Sequence, residues 1–389
     1  MLFYTSFHEA LHHLLKESLC NMKYRLEKIL VADWLDKYGG AERVLSVLNK
    51  CYEFDKCYTL LNNMSNADQS KVFQNKNIPI IESALKSLKS NFRYLFFLFP
   101  FFISRFKIAK GKSLIISSSF AIAKGFKKKE GQLHICYYQA RNQRYIWDTE
   151  NIYFKKWQRL ILSPLLNCLK KIDIYQSKRP DYIISNSLFV KKWIKKTYNL
   201  DSHVIYPPVD TRLFKLQKNK SNYFITTARL EPYKRVDLII DAFNKTDEIL
   251  YVVGDGSMKK TLVKKANSNI VFFDYSNAKK VNELVSKAKA FIHAGIEDFG
   301  IAPVEAQSCG TPVIGFNGGG VAETVIDGKT GILFKFQTSD AILESLRRFK
   351  KIEFDYELIS RHSKKFSEHV FMNNFKKFVQ DKIRLHNLK

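Results

Sequence analysis

The run GIEDFGIAPVEAQSCGTPVIGFNGGGVAETVIDGKTG, residues 295–331, is the most informative in the sequence. Pro303 suits the first turn of a helix. Gly300 would then end a loop, Glu305 would lie in that first turn and Glu297 would sit in the loop before it. Both carboxylates are expected to face one pocket at a helix start. The next strand is read at Pro312–Phe316, followed by Gly318-Gly319-Gly320 and Val321-Ala322-Glu323. Three glycines before a helix allow backbone N–H groups close to an anion. A Glu-x7-Glu spacing alone means little; its surroundings carry the information.

On either side of this run, short apolar strands alternate with helical sequence. In the second half the strands are read at Tyr223–Ala228, Leu250–Val253, Ile270–Phe273 and Ala290–His293. Helices are read at Lys234–Phe243, Met258–Ala266 and Ala278–Ala288. The first half carries strands at Leu26–Ala32, Ser113–Ser117, Leu133–Tyr137 and Tyr182–Ser185, with a helix at Ala41–Asn49. Such alternation predicts parallel, doubly wound sheets. The two prolines of VIYPPVDTRLF (204–214) interrupt it and mark a linker. The expected fold class is therefore α/β, two doubly wound Rossmann-like domains facing an interdomain cleft. The expected units are an extension at 1–22, an N-terminal domain at 23–205, a C-terminal domain at 206–367 and a returning helix at 368–389. Met22 is an alternative start. In open α/β sheets ligands bind beyond the carboxyl ends of the strands, which here means the cleft.

Composition narrows the function. With 389 residues, 46% hydrophobic and 26% charged, the chain is of globular type and long enough for two cores. It has 64 Lys and Arg against 37 Asp and Glu, a net of +27, so an anionic partner is expected. The six cysteines form no C-x-x-C pair and no zinc spacing, which reads as reduced thiols. The opening MLFYTSFHEALHHLLKES makes a poor signal peptide. The longest apolar run, YLFFLFPFFIS at 94–104, is about half the ~20 residues a spanning helix needs. Arg229 and Lys234, five apart around a strand-to-helix turn, can both reach one anion, the first as a planar fork and the second as a point charge. No Asp-x-Asp occurs, so these cations are expected to replace a metal, and no cofactor is expected.

The 295–331 segment resembles the nucleotide-sugar signature of family 4 glycosyltransferases, which have the GT-B fold. The likeness extends from about residue 27 to 371, through YGGAERV (38–44), SNSLFVKKWI (185–194), TARLEPYKRVDLIIDAF (227–243) and KKFSEHVF (364–371). YGGAER, YPPVD and YIWD are most similar to mannosyltransferases of bacterial polysaccharide and O-antigen assembly. The resemblance implies a retaining, metal-independent hexosyltransferase that uses a nucleotide-diphosphate sugar, GDP-mannose favoured, and a lipid-linked saccharide acceptor. It implies that Glu297, Arg229 and Lys234 carry the chemistry, with Glu297 on the sugar hydroxyls and Glu305 on the ribose. Gly39 and Gly40 would admit the phosphates, and Asp298, Phe299, Gly300, Ile301, Gly319 and Gly320 would complete the donor site. On the acceptor side CYYQARNQRYIWD (136–148) departs from the family pattern. Gln139 stands where a His is expected and cannot act as a base near neutral pH. Arg144, Tyr145 and Trp147 agree with the pattern. His134 and His293 read as packed strand residues, with His293 leading toward Glu297.

From Ala84 to Lys129 there are basic residues and no acid. Lys86, Lys89 and Arg93 would share one face of an α-helix, with Phe96, Phe97 and Phe99 following. This predicts docking on an anionic membrane surface and a peripheral place on the cytoplasmic face; the alternative is an apolar face packed on the sheet with solvated lysines. No nucleic-acid motif is present. Rival readings are a UDP-sugar enzyme of the same fold, an epimerase or phosphorylase, and a non-catalytic relative that binds glycan or membrane.

Overall fold

The computed structural model describes residues 26–148, 155–274 and 278–388, without the side chains of Lys89, Ser90 and Ala278. The expected extension at 1–22 lies outside these residues. The first half forms a seven-stranded parallel sheet: β1 (Glu27–Ala32), β2 (Lys56–Thr59), β3 (Ile80–Glu82), β4 (Ser113–Ser119), β5 (Gln132–Tyr138), β6 (Tyr182–Ser185) and β7 (His203–Val204), in the order 3-2-1-4-5-6-7. The second half forms a six-stranded parallel sheet: β8 (Phe224–Thr227), β9 (Leu250–Val253), β10 (Ile270–Phe273), β11 (Phe291–His293), β12 (Val313–Phe316) and β13 (Gly331–Phe334), in the order 10-9-8-11-12-13. The two orders reverse at equivalent places, between β1 and β4 and between β8 and β11. That reversal splits the loops to opposite faces and opens a crevice.

The helices that frame the cleft and its surroundings include α1 (Gly40–Cys51), α2 (Lys156–Ser177), α3 (Leu188–Tyr198), α4 (Val236–Phe243), α5 (Ile301–Ser308) and α6 (Glu368–Leu385). Every residue of β4 and β5 is buried, because helices cover both faces of a parallel sheet. α1 buries Val44, Leu45, Val47 and Leu48 on that sheet. The last helix, α6, follows the second sheet in sequence but packs Phe371, Phe375 and Val379 into the first core. Their i, i+4, i+8 spacing makes one apolar stripe. Phe375 meets Tyr137 and Tyr52, each with ring centres 6.2 Å apart. Each buried Phe contributes about 1.5–3 kcal/mol, so α6 straps the two halves together.

Three local expectations are corrected. Residues 84–98 form a run of 3-10 turns, not an α-helix, so the shared face assumed for Lys86 and Arg93 does not form. The reason is tertiary: Trp34 packs against Phe92 at 5.6 Å and Phe99 at 5.7 Å. Phe99 is thereby buried and cannot touch a membrane, and Phe96 is half-buried. Lys234 ends a separate 3-10 turn, Pro232–Lys234, and Arg235 adopts a left-handed φ of 53° before α4 begins. α5 starts at Ile301, so Glu305 is its fifth residue rather than part of its first turn.

Candidate active site

The loops that leave β8 and β11 flank the reversal of the second sheet. The first carries Arg229 and Lys234; the second carries Glu297. The Lys234 ammonium forms an ion pair with Glu297 Oε1. Burial alone would raise the Glu297 carboxyl, but the Lys234 ammonium, then His293 and Arg144, outweigh it and hold it at about 2. His293 ends β11 with Nε2 3.8 Å from the same carboxylate, and that nitrogen has no hydrogen-bond partner. Burial lowers the imidazole to about 4, so it stays neutral at ordinary pH. Arg229 is exposed, and its charge acts on Glu42 of the first domain, whose carboxyl burial lifts to about 7. One loop thus carries two cations, of which Lys234 is paired with a carboxylate.

The glycines have a packing reason. Gly319 has φ of +71°, and a Cβ there would collide with the Glu297 carbonyl oxygen. One on Gly320 would collide with the Phe299 backbone, and the Gly320 N–H donates to the Glu297 carbonyl at 2.8 Å. The glycine bend therefore clamps the Glu297 loop by direct backbone contact. Gly300 opens α5 with φ of +93°. Phe299 does not line the cleft with its ring; it packs at 5.7 Å from Tyr206 and 5.6 Å from Phe366. The Ile301 Cδ1 lies 3.2 Å from where a Cβ of Gly40 would stand, so the Gly39–Gly40 loop approaches α5 closely.

Across the cleft, Arg43 of α1 donates to Glu305 of α5 at 2.6 Å. Arg141 donates to the buried Asp298 at 2.6 Å, and Arg144 lies 3.8 Å from it. Asp298 thus faces the first domain. Glu323 accepts from the N–H groups of Leu188 and Phe189 at 2.8 and 2.7 Å, placing a carboxylate at the positive end of α3. Sequence reasoning missed Arg43, Arg141 and Glu42 as site residues, although all three lie within quoted motifs.

In the segment expected to meet the acceptor, the Gln139 amide donates to Ser118 Oγ and, at 3.1 Å, to the Ala41 carbonyl. It thereby ties the end of β5 to the start of α1 and the Gly-Gly loop. Tyr145 bonds Gln143 at 2.9 Å, and Trp147 Nε1 donates to Asp173 at 2.8 Å. These two side chains brace the segment from within, while Arg144 reaches the cleft over the Tyr233 ring at 5.3 Å. His134 is buried at Ser117, with Nε2 and Oγ 2.7 Å apart. The equivalent crevice of the first sheet is already occupied. The Asp33 carboxylate, at the end of β1, accepts four backbone N–H bonds from Phe120–Ala123 at 2.5–2.9 Å. At the equivalent reversal of the second sheet stand Arg229, Lys234 and Glu297 instead. Among the described residues no cluster of metal-ligating side chains occurs.

Residues 209–368 match the family described as glycosyl transferases group 1. A stretch of 199 residues is 26% identical to an uncharacterized glycosyltransferase of Methanocaldococcus jannaschii, covering 50% of this chain and 56% of that protein. Another of 149 residues is 30% identical to the O-antigen chain mannosyltransferase RfbU of Salmonella typhimurium, covering 35% and 42%. The chain thus spans about half the length of these relatives. The solved apo structure of the lipopolysaccharide outer core galactosyltransferase WaaB superposes over 92% of this chain and all of that one, with a TM-score of 0.66 at 18% identity. This likeness is one of fold, the GT-B arrangement of two parallel sheets.

Proposed function

With residues 209–368 a group 1 glycosyl transferase domain in a chain of GT-B fold, we propose that the protein is a retaining, metal-independent hexosyltransferase. Its donor is a nucleotide-diphosphate sugar, GDP-mannose in our reading, and its acceptor a lipid-linked saccharide met at the cytoplasmic face of an anionic membrane. The observation that carries this is the Lys234–Glu297 pair at the open reversal of the second sheet. The match to a mannosyltransferase supports the choice of mannose.

The diphosphate takes up negative charge as the bond between its oxygen and the sugar C1 breaks. Arg229 and Lys234 stabilise that charge, which matters most where water is excluded. The acceptor hydroxyl oxygen bonds C1 from the same face, and its proton passes to the departing phosphate oxygen. Glu297, ionised throughout, accepts hydrogen bonds from sugar hydroxyls and offsets the positive charge developing at the ring. Glu305 takes the ribose hydroxyls once Arg43 releases it, and the Gly39–Gly40 loop closes over the phosphates. Asp298, Phe299, Gly300, Ile301, Gly319 and Gly320 hold the shape of this pocket. Gln139 and Arg144 orient the acceptor side, with Tyr145 and Trp147 bracing them.

The test is transfer itself: labelled nucleotide sugars, offered singly with a polyprenyl-diphosphate saccharide, with chelator present. Mannosylated lipid from GDP-mannose, lost in Glu297→Gln and Lys234→Ala, is expected. Free sugar without a glycosylated product, or no turnover of any donor, contradicts the reading.

A further inference from the structure

α2 carries two apolar faces, and among the described residues only one is packed into the fold. Leu166, Leu169 and Asp173 are buried against the first domain. Trp157, Leu160, Ile161, Pro164, Ile172 and Tyr175 are exposed instead. At ~100° per residue these six fall within roughly 60° of one line, and the buried residues lie about 120–180° away. The exposed stripe therefore runs along the outer side of the helix for about 27 Å. Leu160 is 79% exposed, Ile161 68%, Tyr175 68% and Trp157 60%, values far from those of a packed helix. A neighbouring segment carries further exposed rings. Tyr94, at 80%, and the exposed Phe97 and Phe101 lie on residues 94–101. That segment is joined to α2 by Phe96, which packs on Leu166 and Leu169, and by Gln176, whose amide donates to the Pro100 carbonyl at 2.8 Å.

We infer that this face, the outer stripe of α2 together with Tyr94, Phe97 and Phe101, seats the protein on an anionic phospholipid bilayer. Charge selects the occupant. Lys171 is exposed within the stripe, and Lys156 and Lys178 are exposed at its edge. The helix's one acid, Asp173, is buried on Lys124 at 2.6 Å, so no exposed carboxylate of the helix opposes them. Arg105 lies 4.3 Å over the Phe101 ring. Apolar side chains flanked by cations, with Trp and Tyr among them, suit the boundary between headgroups and acyl chains. A second copy docked face to face would set the same cations against each other. The surface replaces the 84–93 segment as the membrane contact: there Arg93 is already paired with Asp36 at 2.5 Å.

This deepens the membrane part of the proposed function, yet the assay needs neither donor nor acceptor, so it can fail while transfer stands. Co-sedimentation is measured with vesicles of equimolar phosphatidylglycerol and phosphatidylcholine, and with phosphatidylcholine alone. The wild type is expected on the anionic vesicles. Leu160→Ser with Ile161→Ser should lower its partition at least about tenfold at an unchanged thermal midpoint, since both side chains are exposed. Lys171→Gln with Lys178→Gln should weaken anionic binding selectively, and a blue shift of tryptophan emission on binding should vanish in Trp157→Phe. Vesicle binding by the Leu160/Ile161 variant equal to wild type overturns the inference. So does absence of wild-type binding, or a solution dimer that the same substitutions dissociate.

Discussion

At Glu297 burial and charge pull in opposite directions, and the Lys234 ammonium wins. Because the folded carboxyl sits near 2 against an ordinary 4.5, the pair's stabilisation is complete above about pH 4.5. It is lost as pH falls toward 2. Transfer rates should therefore show no limb from Glu297 between about pH 5 and 8. Glu297→Gln should lower kcat by about 100-fold or more while leaving the fold intact, measured by steady-state kinetics beside circular dichroism. His293 behaves in the opposite sense. Its folded value is about 4 against 6.5, so the unfolded chain binds the extra proton and stability falls as pH drops through that interval. His293→Phe should flatten that slope in urea unfolding series. Glu297, Lys234 and the glycines are legible in the sequence because they stand in two short motifs, at 227–243 and 295–331. Arg43 and Arg141 are not, because their partners lie 262 and 157 positions away and each is one of 64 basic residues.

At the scale of elements, the glycine bend and the α6 strap are the parts on which position depends most. Gly319→Ala meets both a left-handed φ and a backbone collision, so it should cost at least about 1–3 kcal/mol and displace the Glu297 loop. Urea unfolding reads the first effect and loss of transfer the second. Phe375→Ala should cost about 3–5 kcal/mol, because the ring is fully enclosed between the sheet and α1. The strands and their parallel order follow from alternating apolar runs, which mark most of them to within a residue or two. Residues 84–98 escape that reading because an amphipathic pattern does not distinguish 3-10 turns from an α-helix. What decides between them is Trp34, fifty residues earlier and invisible to local periodicity. The exposed stripe of α2 is hidden for a related reason: which of two apolar faces packs inward depends on the rest of the fold.

Across the whole molecule, two nearly equivalent sheets have divided their roles. The first fills its own crevice with Asp33, and the second sets the Lys234–Glu297 pair at its own. The halves are held by α6 and by charge pairs at the cleft, Arg43–Glu305 and Arg141–Asp298. Replacing both arginines by alanine should loosen closure, raising the radius of gyration in small-angle scattering while each sheet keeps its stability. The proposal that the cleft cradles a nucleoside diphosphate is tested most directly by calorimetric titration of GDP into wild type and Lys234→Ala, with chelator present. Binding by the wild type and at least about a tenfold loss in the variant are predicted. Equal affinity in the two, or no binding in either, would contradict the account.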